Sequence, residues 1–282
     1  MIKNRLTLLI FHAIIQKKLE VKMKPITFRK FLLLMFVLFI LCYSSLFASQ
    51  LSIYCEDDPP FQIIEKDGSL KGLTAEVCQE IQKRVGNKDK IEVVPWARGL
   101  NALDTKPNTV LFSMSRTPER NPLYQWVGPV NEISYGLYVK ADSKISIKNL
   151  DEAKKLKSIG VYNNDIRDQY LTRQGFTNLD RVTDNTTNIK KLMLGRIDAY
   201  ADSDDGLKSN AKEAGYTAND LKLIHVFMKT QLYIAMSKDT PHEIVKQWND
   251  ALEQMKKDGT FKKIYTKYFP GKALPGPAIN KF

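Results

Sequence analysis

The chain has 282 residues, of which 43% are hydrophobic and 26% charged, so a wholly disordered or collagen-like protein is excluded. Its net charge of +12 would suit a nucleic-acid-binding protein, but eight of the 43 basic residues and only one acid lie within residues 1–48. The other basic residues are spread over predicted helix surfaces, so we expect no nucleic-acid partner.

Residues 23–48 have the three zones of an export signal. Basic residues precede an uninterrupted apolar run over residues 31–41, and small residues follow up to Ala48. This order predicts a secretory signal peptide that is cleaved after Ala48 and sends the protein to the periplasm. An uncleaved anchor is the alternative, although the apolar segment falls short of the usual span of about 20 residues. Residues 1–22 precede a complete signal, and we interpret them as a spurious extension.

From residue 49 onward, predicted strands and helices alternate, which is typical of an α/β protein. The predicted strands lie at residues 51–54, 91–94, 109–114, 136–140, 158–162, 197–201, 222–225 and 231–236. The predicted helices lie at residues 74–85, 97–103, 150–156, 165–174, 187–194, 206–214, 241–257 and 261–268. Residues 271–282 are rich in proline and glycine, which predicts a flexible tail.

Cysteine and histidine offer little chemistry in this sequence. Cys55 and Cys78 both fall on apolar faces of predicted elements, and an exported protein can form a disulfide between them or bury two thiols. His242 and Glu243 begin like an HExxH motif, but Lys246 stands where the second zinc ligand is needed. We therefore expect neither a metal nor another cofactor.

The segment from Ser113 to Arg120 has the composition of an anion-binding site. A predicted strand ends at Ser113 and Ser115, and Pro118 then begins a short helix that carries Arg120 in its first turn. Ligands of open α/β sheets bind where strands end, and an arginine can clamp a carboxylate through two parallel hydrogen bonds. The alternative is a surface ion pair between Arg120 and Glu119.

Trp96 and Arg98 lie at another junction between a strand and a helix. The indole of Trp96 can form the wall of a pocket and stack on a ligand, or it can belong to the core. Arg98 is either a second cationic ligand contact or a solvated helix residue.

Four groups of motifs follow one another along the chain. They are Pro60-Phe61 with Asp67-Gly68 and Lys71-Gly72-Leu73, Thr117-Pro118-Glu119-Arg120 with Trp126-Val127-Gly128-Pro129, Gly195-Arg196-Ile197-Asp198-Ala199, and Asp258-Gly259-Thr260-Phe261 with Lys267-Tyr268-Phe269. In this order they resemble family 3 extracytoplasmic solute-binding proteins, the binding components of polar amino-acid ABC importers. The segment around Trp96 indicates a divergent subgroup.

The resemblance implies a two-lobed periplasmic-binding-protein fold of type 2, in which each lobe is a mixed sheet flanked by helices. Lobe 1 would comprise residues 49–131 and 231–270, and lobe 2 would comprise residues 132–230. Hinges near residues 131–133 and 227–231 would let the lobes close on a ligand.

The function that the resemblance implies is binding rather than catalysis. A monomer would capture a small carboxylate-bearing solute, foremost an amino acid, and pass it to an inner-membrane ABC permease or to a membrane sensor. A few relatives with this fold act as dehydratases, and Glu119, Asp202 and Asp204 would be the candidate acids or bases for that alternative.

Positions that match the family's motifs carry over as expected ligand contacts in lobe 1. Arg120 corresponds to the arginine that binds the ligand carboxylate, Ser115 to a hydroxyl contact and Ser113 to a carbonyl that meets the ligand amine. Trp96 corresponds to an aromatic platform.

In lobe 2, Asn164, Asp165 and Ile166 correspond to the loop and helix start whose N–H groups meet the ligand carboxylate, which suits the attraction of helix N-termini for anions. Ser203 stands where the family has an acid for the α-amino group.

Two departures leave the ligand class open. Asp202 or Asp204 can replace the acid that is missing at Ser203. Asp58 or Pro59 replaces the family's second aromatic residue, and Asp58, Asp202 and Asp204 together can instead favour a cationic group.

Overall fold

Ten strands and eight α-helices alternate through residues 50–279, the part of the chain that the computed structural model describes. The strands are β1 Ser52–Cys55, β2 Ile63–Ile64, β3 Leu70–Lys71, β4 Ile91–Val93, β5 Thr109–Arg116, β6 Gln125–Lys140, β7 Ile159–Tyr162, β8 Leu179–Val182, β9 Ala199–Ser203 and β10 Leu221–Met236. The helices are α1 Leu73–Val85, α2 Trp96–Thr105, α3 Leu150–Ala153, α4 Ile166–Arg173, α5 Asn185–Met193, α6 Leu207–Glu213, α7 His242–Lys257 and α8 Thr260–Tyr268. The α/β prediction is confirmed, whereas the predicted export signal lies outside the described residues.

Eight of these strands form one mixed sheet in the order β4-β1-β5-β10-β6-β9-β7-β8. We call β4, β1 and β5 the first half of the sheet and β9, β7 and β8 the second half. Within each half the neighbouring strands are parallel. The connecting strands β10 and β6 are antiparallel to each other and to their outer neighbours β5 and β9. No helix in the described part of the chain is long and apolar enough to cross a membrane.

Strands β6 and β10 extend over 16 residues each and join the two halves. Strand β10 pairs with β5 through residues 231–236, and β6 pairs with β9 through residues 135–138. The sequence pattern predicted only parts of both strands. In β6, Gly128-Pro129 has the composition of a turn, and in β10 the residues 226–230 between the two predicted segments show no regular alternation of apolar and polar side chains.

The core of the first half is built on α1 and α7, which pack against each other. Gly72 directly precedes α1 and has a φ of 109°; a Cβ atom there would lie 2.3 Å from the carbonyl oxygen of Phe61, so only glycine fits. Cys55 and Cys78 are buried in this core as free thiols, which decides between the two alternatives. Burial raises the pKa of Cys55 to about 12, so it stays protonated.

The tail after α8 lies across both connecting strands, where the sequence pattern predicted a flexible segment. Lys272 Nζ donates to the carbonyl oxygen of Glu132 (2.8 Å) and pairs with Asp205 (2.5 Å). The Gln231 side chain donates to the carbonyl oxygen of Pro277 (3.0 Å) and accepts from the N–H of Ile279 (3.0 Å). These partners are distant in sequence, so the composition of the tail could not reveal them.

Candidate functional site

A cavity of about 50 Å3 lies between the two halves of the sheet, beside the connecting strands. It is lined by nine of the residues that the sequence singled out, which are Asp58, Trp96, Ser113, Ser115, Arg120, Asp165, Ile166, Asp202 and Ser203. We refer to this cavity as the cleft.

Arg120 is a buried cation at the cleft. Its side chain donates to the carbonyl oxygen of Ser115 (3.3 Å) and to Oε1 of Gln169 (3.0 Å), and it lies 5.8 Å from the ring centroid of Trp96. Only 5% of Arg120 is exposed, and burial lowers its pKa. No carboxylate among residues 50–279 lies within 4 Å of the guanidinium. Glu119, the partner in the surface-pair alternative, binds Arg173 instead (3.4 Å).

The two serines differ in what they offer to a ligand. The hydroxyl of Ser113 donates to Oγ1 of Thr74 (3.0 Å) and accepts from the Gln62 side chain, so it is already hydrogen-bonded to neighbouring protein groups. The hydroxyl of Ser115 lies 2.9 Å from Oη of Tyr135, a cleft residue on β6. Ser115 therefore has a polar partner inside the cleft. The hydroxyl of Ser113 is already hydrogen-bonded, so Ser113 can contact a ligand through its backbone.

Trp96 belongs to the core and to the cleft at once. Its ring packs in an apolar cluster with Leu100 and Leu103, and its Nε1 donates across the cleft to the carbonyl oxygen of Asn164 (3.1 Å). Asn164 itself does not line the cleft. Arg98 is exposed and lies outside the lining, because two residues turn a helix by about 200°. This placement gives a ligand-binding role of Arg98 no support.

The start of α4 is occupied by its own capping residue. Oδ1 of Asp165 accepts the N–H groups of Arg167 (2.8 Å) and Asp168 (3.0 Å). Among the N–H groups that the resemblance offered to a ligand carboxylate, that of Asn164 donates to Oδ2 of Asp168 (2.9 Å) and that of Asp165 to the carbonyl oxygen of Tyr162 (3.3 Å), while Asp165 caps the two N–H groups after Ile166. The side chain of Arg167 also donates to Asp165 and to Oδ1 of Asp202 (2.7 Å).

The acids around Ser203 are hydrogen-bonded to other protein groups. Asp202 is 1% exposed and accepts from Arg167, from Asn210 (3.0 Å) and from the N–H of Ser203 (2.8 Å). Asp204 lies outside the cleft and accepts the N–H of Ser134 (3.0 Å). Neither geometry offers the ligand an acid free of other partners.

Two acids from the loop after β1 line the cleft from the first half. Oε2 of Glu56 accepts from Oη of Tyr162 in the second half (2.9 Å). Burial raises the pKa of Glu56 well above its ordinary range, with Asp58 adding to the effect. Burial likewise raises the pKa of Asp58 to about 7; Arg167 opposes the shift, and Asp202 strengthens it.

The family model of the bacterial extracellular solute-binding proteins, family 3, matches residues 51–271. The chain belongs to this family. The resemblance inferred from the motifs is thereby confirmed, and the family is one of binding proteins rather than enzymes.

Individual relatives and solved structures agree with this assignment. The L-cystine-binding protein TcyJ of Escherichia coli (strain K12) is 28% identical over 216 residues, covering 75% of this chain and 79% of TcyJ. An ancestral arginine-binding protein, solved with arginine, has a TM-score of 0.68 at 25% identity and covers 78% of this chain and 98% of its own. A histidine kinase sensor domain similar to periplasmic binding proteins has a TM-score of 0.72 at 17% identity, covers 80% of this chain and 98% of its own, and shows the shared fold.

Sequence reasoning did not select several residues that line this cleft, notably Glu56 and Tyr162, and it did not foresee a role for the side chain of Arg167. A usable signal existed for the first of them. Glu56, Asp57 and Asp58 form an acidic run directly after a predicted strand, which is where ligands of such sheets bind. Tyr162 ends a strand as well, but nothing local distinguishes it from a core tyrosine.

Proposed function

We propose that this protein captures an amino acid in the cleft and delivers it to an ABC importer. The observation that carries the proposal is Arg120, a buried guanidinium with no carboxylate partner among residues 50–279, at a cavity between two halves of one sheet. A ligand carboxylate can supply the missing charge through hydrogen bonds worth about 1.5–3 kcal/mol each. The ligands named for the similar cystine- and arginine-binding proteins support the amino-acid class.

The two halves of the sheet would act as the lobes, with hinges near residues 131–133 and 227–231. The pairing of the connecting strands supports this division. Residues 135–138 of β6, beyond the first hinge, pair with β9, and residues 231–236 of β10, from the second hinge onward, pair with β5. Closure requires that the ligand bind the closed form more tightly than the open form. Contacts such as that of Trp96 with Asn164 would then form as the lobes meet.

Export completes the proposal. Residues 23–48 would serve as a cleaved signal peptide, and the mature protein would work in the periplasm. A membrane sensor is the alternative partner, since the fold is shared with a sensor domain. Loss of amino-acid uptake on deletion of the gene would support the importer, whereas unchanged uptake with a lost transcriptional response would support the sensor.

A thermal-shift screen against the proteinogenic amino acids and L-cystine tests the binding function. A ligand at 100 times its dissociation constant should stabilise the protein by about 2.7 kcal/mol. Calorimetry on the best ligand should show that R120A abolishes binding with the fold intact, while R98A, a matched change at an exposed arginine outside the cleft, retains it. Unchanged affinity in R120A would refute the site.

A further inference from the structure

The charges that line the cleft do not balance internally. Six charged side chains face it: Glu56, Asp58, Arg120, Asp165, Arg167 and Asp202. Four are acids and two are arginines, so the lining carries an excess of negative charge when all of them are ionised. The pairing among these groups decides which charges a ligand would meet.

Arg167 is neutralised from within the second half. Its Nη1 lies 2.7 Å from Asp202, and its Nε donates to Asp165; all three residues are buried. The triad keeps one net negative charge when both acids are ionised, but both carboxylates already accept hydrogen bonds from Arg167 and from further protein donors.

The remaining charges are one cation and two acids. Arg120 is 95% buried and has no carboxylate within 4 Å among residues 50–279, so it is available to an anionic group. Glu56 has the hydroxyl of Tyr162 as its partner, and neither Glu56 nor Asp58 has a cationic nitrogen within 4 Å in the same part of the chain. Each of these two acids would gain from a positively charged group.

We propose that the solute is an amino acid with a positively charged side chain, its carboxylate on Arg120 and its two cationic groups on Glu56 and Asp58. The proposal rests on the binding function proposed above and narrows it to solutes of net positive charge. The loop after β1, in the first half, would thereby bind the ammonium group. A neutral amino acid brings only one positively charged group, so only one of the two acids would gain a counter-charge from it.

Calorimetry with L-arginine, L-lysine, L-citrulline, L-glutamine and L-cystine tests this proposal on the purified protein. L-Citrulline is the decisive probe, since it keeps the shape of arginine but carries an uncharged urea group. We expect arginine or lysine to bind at least about tenfold more tightly than citrulline, glutamine and cystine. Equal or tighter binding of any of those three would overturn the proposal while leaving the amino-acid-binding function in place. Absence of binding by all amino acids would overturn both.

Charge-neutral variants identify the acids that are responsible. E56Q and D58N should each weaken binding of the cationic ligand by at least about tenfold, and one of them should also reduce its preference over citrulline. D57N is the matched control, because Asp57 lies between them in the chain but is exposed and does not line the cleft. Retained affinity in both E56Q and D58N, with circular dichroism showing a native fold, would overturn the proposal.

Discussion

Asp58 is a residue at which burial and neighbouring charge act together. Its carboxyl group is affected by Arg167, which lowers the pKa, and by Asp57, Asp165 and Asp202, which raise it; burial is the largest effect and the pKa becomes about 7. In an unfolded chain the same carboxyl titrates near 3.9. The folded protein therefore holds a proton between about pH 4 and pH 7 that the unfolded chain releases.

The free energy of unfolding of the ligand-free protein should consequently fall as the pH rises through this window. Glu56, whose pKa is also raised, acts in the same direction. Thermal unfolding followed by circular dichroism at pH 5, 6, 7 and 8 should show this decline, and D58N should show a smaller one because asparagine does not titrate. The same slope in D58N as in the wild type would contradict the assignment.

Gly72 offers a second test at the scale of a residue. Both Gly72 and Gly68 have positive φ, so alanine is strained at either position, by about 1–2 kcal/mol. At Gly72 the added Cβ would also approach the carbonyl oxygen of Phe61 to 2.3 Å, whereas nothing lies within 4 Å at Gly68. G72A should therefore lose clearly more stability in urea unfolding than G68A, and equal losses would contradict the steric account.

Helices were predictable from the sequence to within a few residues because their signals are local. Helix α1 has a glycine at each end, and α7 carries a regular apolar stripe that includes Trp248 and Leu252. Strand β8 was not predicted, because its four residues are at most half-buried and show no alternation. The motif around Arg120 was visible for the same local reason, whereas the pairing of Arg167 with Asp202 depends on the order of strands in the sheet.

The two helix caps in the second half make a matched pair. Asp165 caps α4 with two N–H bonds and also binds the buried Arg167, while Asp184 caps α5 through one N–H bond at an exposed site. D184A should lower the free energy of unfolding by about 1 kcal/mol, as for an ordinary cap. D165A should lower it by about 3 kcal/mol or more, because it also breaks a buried ion pair. Chemical denaturation measures both, and equal losses would show that the ion pair adds nothing.

At the scale of the whole molecule, the halves of the sheet meet through a few polar contacts around the cleft. They are Trp96 with Asn164, Arg120 with Gln169, Glu56 with Tyr162 and Glu119 with Arg173. The tail adds Lys272, which binds a connecting strand and Asp205. Most of these contacts are single hydrogen bonds, each worth only about 0.5–1.5 kcal/mol, so in the proposed closure a bound solute would decide the balance between open and closed forms.

Y162F tests this closure. Phenylalanine preserves the ring of Tyr162 but removes the hydroxyl that donates to Glu56 across the cleft. The closed complex should lose about 1 kcal/mol, and the loss should appear as a several-fold faster dissociation of the amino acid, since most affinity changes lie in the dissociation rate. Y170F is the matched control, because the Tyr170 ring stacks on Phe227 of the connecting strand β10 and neither residue lines the cleft. Stopped-flow measurement of ligand release distinguishes the two variants, and equal dissociation rates in Y162F and the wild type would show that this contact does not hold the closed form.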